Sequence, residues 1–386
     1  MKLKDEKPLR AENLRLHNKN LVLSLLYSRR SAGISQSELV EKTGLKAPTI
    51  YRIFTSLIEE NLIEPVETSF PVMDVTKRGR KPMNFCVRRD ARYSIAVDFW
   101  SANLSIGVFN FWGERIHSSI QNLAHDTTAD EIVFLISSVI KNTIAELHIA
   151  SAAIIGVGVA APGLVDLASE QIVYYPRIQG MRNYPIVEKL KNLLNLPVIL
   201  HNNCSALALG EFRYGGFETQ NSMFTFLFRT GVNGSFIDNG RIFINSKRQT
   251  LEIGHLPVCK NGPKCACGRK GCLQACISAL CPDETVSFMF ENVDPDSDSG
   301  RKILKAAAEY MAVVIRTIEK IFAPSSFLIV ACNDRIAGML SEEIGKILDK
   351  PDTFGNDSPV IFHAAYDPLF AQKGISDQIL INYFAR

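Results

Sequence analysis

Apolar residues recur at helical spacing near the start of the chain, where Leu14, Leu21, Val22, Leu25 and Leu26 predict a helix over Leu14–Tyr27. A shorter helix is predicted to begin at Ser35, which with Glu38 three residues on makes a capping box, and to stop at Gly44 in a left-handed turn. A third begins at about Ala47 with Pro48 in its first turn and sets Ile50, Ile53, Phe54, Leu57 and Ile58 on one face. Leu62–Pro65 and Asn84–Val87 read as two strands joined by the basic tip Thr76–Pro82. Past residue 90 the pattern changes. Tyr93–Phe99 and Leu104–Phe111 are apolar β-runs, a helix is predicted near Asp130–Leu147, and Ala153–Ala160 reads as a buried strand. The theme repeats with the strand Ser222–Phe228, a hairpin at Phe236–Gly240, two long helices (Arg301–Phe322 and about Met339–Leu348) and the strand Phe327–Ala331. The alternation argues for an α/β body. The apolar faces of the two long helices suit either a dimer interface or the core.

Charge separates the front from the body. Residues 1–90 carry 17 Lys and Arg against 11 Asp and Glu, whereas the rest of the chain carries 26 against 29. Two helices, a tight glycine turn and a third helix form the helix-turn-helix pattern, and the two strands after it form a wing. The third helix presents Lys46, Thr49, Tyr51 and Arg52, side chains suited to phosphates and base edges in a major groove. Arg78, Gly79 and Arg80 at the basic tip suit a narrow minor groove. Double-stranded DNA is the expected partner; a winged-helix module that contacts protein is the alternative.

With 46% hydrophobic and 22% charged residues the composition is globular. No apolar run approaches the roughly 18 residues of a membrane span. The charged segment Met1–Pro8 is followed by no apolar stretch, which predicts a cytoplasmic protein with no membrane partner. Nine cysteines, an odd number, argue against a disulfide framework. Three of them, Cys265, Cys267 and Cys272, lie with His255 in one short glycine-containing stretch. Cys₃His is a closed tetrahedral set for structural Zn²⁺, and Gly268 and Gly271 let a short loop fold back around one ion.

Gly156–Gly163 (Gly-Val-Gly-Val-Ala-Ala-Pro-Gly), Glu252-Ile-Gly-His255 and Cys265-Ala-Cys-Gly-Arg-Lys-Gly-Cys272 together resemble the ROK family of repressors, open reading frames and sugar kinases. The resemblance spans the whole chain, and the N-terminal module points to the repressor branch, similar to xylose and N-acetylglucosamine repressors. It implies a two-lobed, actin/hexokinase-like (ribonuclease H-like) ATPase-type body with a sugar in the cleft. By motif match, Asn202, Asn203, Glu252, His255 and Gln274 fall on the family's sugar-contacting positions, Gln274 replacing a glutamate and Asn203 an aspartate. Arg177 stands where the family usually has asparagine; it either favours a phosphorylated or acidic sugar or points to solvent.

The same resemblance implies that catalysis is lost. The family's first phosphate loop, Asp-x-Gly-Gly-Thr, is here Asp98-Phe-Trp-Ser-Ala102, and Phe99 and Trp100 stand where phosphate would meet bare backbone. The second phosphate loop is partly kept as Arg229–Ser235, and the late Gly-Gly is Ala331-Cys332. Asn203 replaces the general base, which alone removes roughly 10²–10⁴ in rate. The expectation is therefore a sugar-responsive regulator, a repressor of carbohydrate uptake or catabolism genes, with no catalytic residues. It would read an operator as a homodimer or a dimer of dimers. An ATP-dependent sugar kinase with an added DNA-binding domain is the alternative. The expected division is a winged helix-turn-helix domain (1–90), a first α/β lobe (91–205) and a second α/β lobe with the zinc loop (206–386).

Overall fold

Helix α1 (Ala11–Ser28) buries Val22, Leu23 and Leu26, while Leu14 and Leu21 of the expected stripe are exposed. The computed structural model describes residues 11–66, 83–217, 220–281, 288–349 and 358–385. Helix α2 (Gln36–Thr43) starts as its sequence requires: Ser35 Oγ accepts the Glu38 N–H at 3.2 Å. The Glu38 carboxylate faces Arg29 and Lys42 (3.7 and 3.8 Å), so the capping box is only half made. Gly44 ends the helix at φ +67°, its N–H on the Val40 carbonyl. Helix α3 (Ala47–Glu59) buries Ile50, Ile53, Phe54 and Leu57 against α1 and α2 and leaves Ile58 exposed. Strands β1 (Ile34–Ser35), β2 (Ile63–Pro65) and β3 (Asn84–Val87) form an antiparallel sheet in the order β1-β3-β2. Arg78, Gly79 and Arg80 lie outside the described residues.

The body holds two five-stranded sheets with the same strand order. In the first, β4 (Tyr93–Phe99), β5 (Asn103–Asn110) and β6 (Arg115–Asn122) form an antiparallel meander, and β7 (Ile154–Ala161) and β11 (Val198–Asn202) extend it in parallel beside β4. Between β7 and β11 lies a small antiparallel sheet of β8 (Leu164–Asp166), β9 (Gln171–Tyr174) and β10 (Arg182–Tyr184). In the second large sheet, β12 (Ser222–Phe228), β13 (Val232–Asp238) and β14 (Arg241–Ile242) form the meander, and β15 (Ser326–Ala331) and β16 (Ile361–Ala365) are the parallel extension. The central strands are buried almost throughout, as sheets covered on both faces must be.

Helices form three layers around these sheets. Helices α4 (Ala129–Glu146) and α5 (Ile186–Leu194) cover the outer face of the first sheet, and α8 (Asp298–Phe322) and α9 (Asp334–Leu348) cover that of the second. Between the inner faces run α6 (Asn203–Tyr214) and α10 (Pro368–Phe384), α6 on the second sheet and α10 on the first. They cross closely: a Cβ on Gly210 would stand 1.8 Å from the Phe370 carbonyl oxygen, and one on Gly374 1.8 Å from that of Ala206. Helix α10 also carries the N-terminal module. The Tyr27 ring of α1 packs 5.5 Å from Phe384 and 6.0 Å from Phe111, and Arg30 Nε donates to the Trp112 carbonyl at 2.8 Å. Among the described residues no helix is long and apolar enough to cross a membrane.

Candidate ligand cleft and metal centre

The strand ends of the two large sheets face each other across a cavity of about 310 Å³. Asn203, Glu252, His255, Gln274 and Arg177 all stand in its wall. Asn203 begins α6, and Glu252 caps and His255 ends a turn of 3₁₀ helix, Ile253–His255. Gln274 lies on the short helix α7 (Leu273–Ser278), its amide close against Gly231: a Cβ there would come within 2.8 Å of the amide oxygen. Burial raises the Glu252 carboxyl above its ordinary range, opposed by His255. Arg177, although exposed, reaches over the mouth and donates from Nη2 to the Thr230 carbonyl at 3.2 Å.

Asn202 departs from the expected ligand set and is not among the cavity walls. Its Oδ1 caps α6 by accepting the N–H groups of Cys204 (2.9 Å) and Ser205 (3.4 Å), and its Nδ2 donates to the Gly163 carbonyl at 3.0 Å. Both ends of the amide are thereby spent on joining the Gly163 loop to α6.

The inner end of the cavity holds a unit the sequence reading did not assemble. Arg229, at the end of β12, donates from Nη2 to Asp98 Oδ2 at 2.8 Å, and Tyr366 donates to the same oxygen at 2.7 Å. The guanidinium packs in the corner of two nearly perpendicular rings, 3.8 Å from the centre of Trp100 and 4.1 Å from that of Tyr366. Arg229 and Asp98 are 3% and 0% exposed. Burial lifts the Asp98 carboxyl to about 6 despite the guanidinium, and the same burial pulls Arg229 below its usual range. The available signal was an arginine directly after the largely apolar strand Ser222–Phe228. His201, two strands away from Asp98, is held neutral, its pKa lowered to about 4 by burial and by Arg248.

The candidate metal cluster adjoins the opposite wall. His255, Cys265, Cys267 and Cys272 converge with one ligand atom each, all within 4.8 Å of one another, a cluster able to hold a metal ion. His255 Nδ1 is 3.4 Å from Cys265 Sγ, and Cys267 Sγ is 3.6 Å from Cys272 Sγ. A tetrahedron with metal–sulfur bonds of about 2.3 Å has edges of about 3.8 Å, close to these two separations. The loop closes through Cys265 N–H to the Arg269 carbonyl (2.7 Å) and Gly271 N–H to the Pro263 carbonyl (2.9 Å). Gly271, at φ +69°, sits where a Cβ would be 1.6 Å from the Cys259 carbonyl oxygen. The Arg269 N–H and guanidinium draw the Cys267 thiol down toward the thiolate, whereas burial and its neighbours raise Cys272.

Of the residues expected to meet DNA, Lys46 is the N-cap of α3, Thr49 is half-buried, and Tyr51 and Arg52 are exposed side by side on its solvent face. They lie on the N-terminal module, apart from the cleft and the metal centre.

Comparison with known proteins places these features in a family context. A family model described as the ROK family matches residues 95–351. The xylose repressor of Bacillus spizizenii is 26% identical over 246 residues, 63% of this chain and 61% of that protein, so the match spans about three fifths of that relative. The N-acetylglucosamine repressor of Escherichia coli O6:H1 is 25% identical over 294 residues, 74% of this chain and 70% of that protein. Among solved structures, a ROK family transcriptional regulator described as a homolog of E. coli MLC protein has a TM-score of 0.76 at 17% identity, covering 95% of this chain and 98% of its own. A ROK family glucokinase from Streptomyces griseus, in complex with glucose and AMPPNP, has a TM-score of 0.60 at 21% identity, covering 74% and 98%.

Proposed function

Because the chain belongs to the ROK family, and its body has the kinase-like, actin/hexokinase type of fold, we propose that it is a sugar-responsive transcriptional repressor of carbohydrate genes. Residues 1–90 act as a winged helix-turn-helix module, with α3 in the major groove and the Arg78-Gly79-Arg80 tip in the minor groove. Residues 91–205 and 206–386 act as the two lobes of the sensor. The observation that carries the reading is the seating of a three-helix module with an exposed Tyr51–Arg52 face on the helix that crosses between the lobes. A change in lobe angle at the cleft then reaches α1 through α10. The ligand drives that change only by its difference in affinity for the two lobe arrangements.

The cleft takes a sugar or sugar phosphate through Asn203, Glu252, Gln274 and Arg177. His255, Cys265, Cys267 and Cys272 hold a structural Zn²⁺ that pins the Glu252–Gln274 wall. A carboxylate–histidine–metal arrangement supports this, with Glu252 behind the ligating imidazole. The body does not phosphorylate the sugar: Asn203 is an amide with no capacity to accept the proton, and an Asp98–Arg229 ion pair ties together the two segments that resemble phosphate loops. Two-fold symmetric operators match a dimer.

The reading is tested by titrating the full chain with its own upstream DNA and with random duplex. Specific binding that xylose, N-acetylglucosamine or their phosphates weaken supports it. Turnover of labelled ATP with those sugars overturns the non-catalytic assignment.

A further inference from the structure

We propose that Arg229 is a bolt between the two lobes, holding the ligand cleft shut from its inner end. Asp98 and Trp100 belong to the end of β4 in the first sheet; Arg229 and Tyr366 follow β12 and β16 in the second. The contact therefore draws one charged and one aromatic partner from each side of the cleft. The guanidinium packs against one ring from each lobe, the two rings set 82° to each other, and meets a carboxylate at its tip. The next residue of the same turn is held from the first lobe as well, since Arg177 donates to the Thr230 carbonyl at the mouth. One turn of the second lobe is thus fastened at both the floor and the rim of the cavity.

The bolt is built to be released. Asp98 Oδ1, Trp100 Nε1 and Arg229 Nε and Nη1 are buried with no hydrogen-bond partner. Removing a charge pair from water is repaid only when the remaining donors and acceptors are satisfied, and unpartnered buried polar groups are unfavourable. Opening the lobes rehydrates all four atoms, which sets a loss of Coulomb and stacking contact against a gain in solvation. Trp100 and Arg229 are themselves cavity walls, so an occupant of the cleft acts on the bolt directly.

The inference concerns the cleft of the proposed sensor, but not DNA or the identity of the sugar. It is tested on the full chain without ligand, so its failure is distinct from failure of the repressor reading. Backbone hydrogen exchange is followed at residues 98–102 and 228–231 in the natural chain, in Arg229→Met and in Tyr366→Phe. Arg229→Met is expected to speed exchange on the order of tenfold in both segments, one on each lobe, with Tyr366→Phe smaller and in the same direction. The double variant Asp98→Asn with Arg229→Met, which leaves no unpaired charge in the interior, is expected to slow both segments relative to Arg229→Met. Unchanged exchange in the folded variants, or a change confined to one lobe, overturns the bolt. If Arg229→Met fails to fold, Tyr366→Phe, which removes one hydroxyl, decides by the same criterion.

Discussion

The Glu252 carboxylate lies 3.6 Å from His255 Nε2, on the other side of the imidazole from the Cys265 thiol. One ring therefore links the cavity wall to the candidate metal cluster, with Nε2 on the side of a carboxylate and Nδ1 facing the donors. Cys265→Ser is expected to abolish zinc uptake, lower the melting temperature and remove the sugar-induced thermal shift together. The N-terminal module of the same variant is expected to keep weak DNA binding, because it shares no side chain with the cluster. Metal content by mass spectrometry and thermal shift on one preparation check this; a full sugar response without zinc speaks against it.

Gln274 separates ligand contact from metal holding. It lies in the cavity wall but is not a member of the Cys₃His cluster. Gln274→Ala removes an amide that reaches toward Gly231 without touching the core. Its expected effect is a loss of about 0.5–1.5 kcal/mol in sugar affinity, the worth of a neutral hydrogen bond. Zinc content and melting temperature are expected to stay unchanged, as calorimetry with xylose and N-acetylglucosamine on both proteins will read.

The N-terminal module was legible because local chemistry specifies it. Ser35, Gly44 and Pro48 each act within one turn, and all three do in the structure what their types dictate. The apolar strands of both sheets were equally plain, as was the Cys₃His set, whose ligands are neighbours in sequence. Helix α10 was not read because its apolar residues lie on all sides: Ala371 and Ile375 face the sheets and α6, while Ile379 and Leu380 face α1 and β7. The Asp98–Arg229 pair was missed for a different reason. Its members are 131 residues apart, and only the docking of two sheets brings them together. Asn202 was assigned by motif to the ligand, yet its side chain is consumed in capping the helix that it precedes.

At the helix crossing, Gly374→Ala sets a methyl group 1.8 Å from the Ala206 carbonyl oxygen, so α6 and α10 must separate. Backbone does not yield as a flexible side chain does. A destabilisation of about 1–3 kcal/mol is expected, as for other overpacked sites. Because this crossing joins the lobes, the variant is also expected to weaken the coupling of sugar to DNA. Urea unfolding and sugar-dependent DNA release measure the two effects.

Glu211, 2% exposed on α6, has its pKa raised to about 7 by burial and by Asp367, against an ordinary value of 4.5. The folded chain therefore binds this proton more tightly than the unfolded chain. The resulting stability is fully present below pH 4.5 and is lost as pH rises through 7. Glu211→Gln is expected to match the natural chain at pH 4.5 and to melt progressively higher than it toward pH 7 and above. Parallel melting curves across that range would refute the assignment.

The central claim is that one chain reads DNA through α3 and surrenders it to a sugar. The most direct measurement is fluorescence anisotropy of the full protein on a labelled duplex from its own upstream region, at fixed salt, with random duplex as control. Binding at least about 10³-fold tighter to the upstream duplex is expected, reduced by Arg52→Ala and released by xylose, N-acetylglucosamine or a phosphorylated form of either. Equal affinity for both duplexes, or specific binding that no sugar alters, would contradict the account.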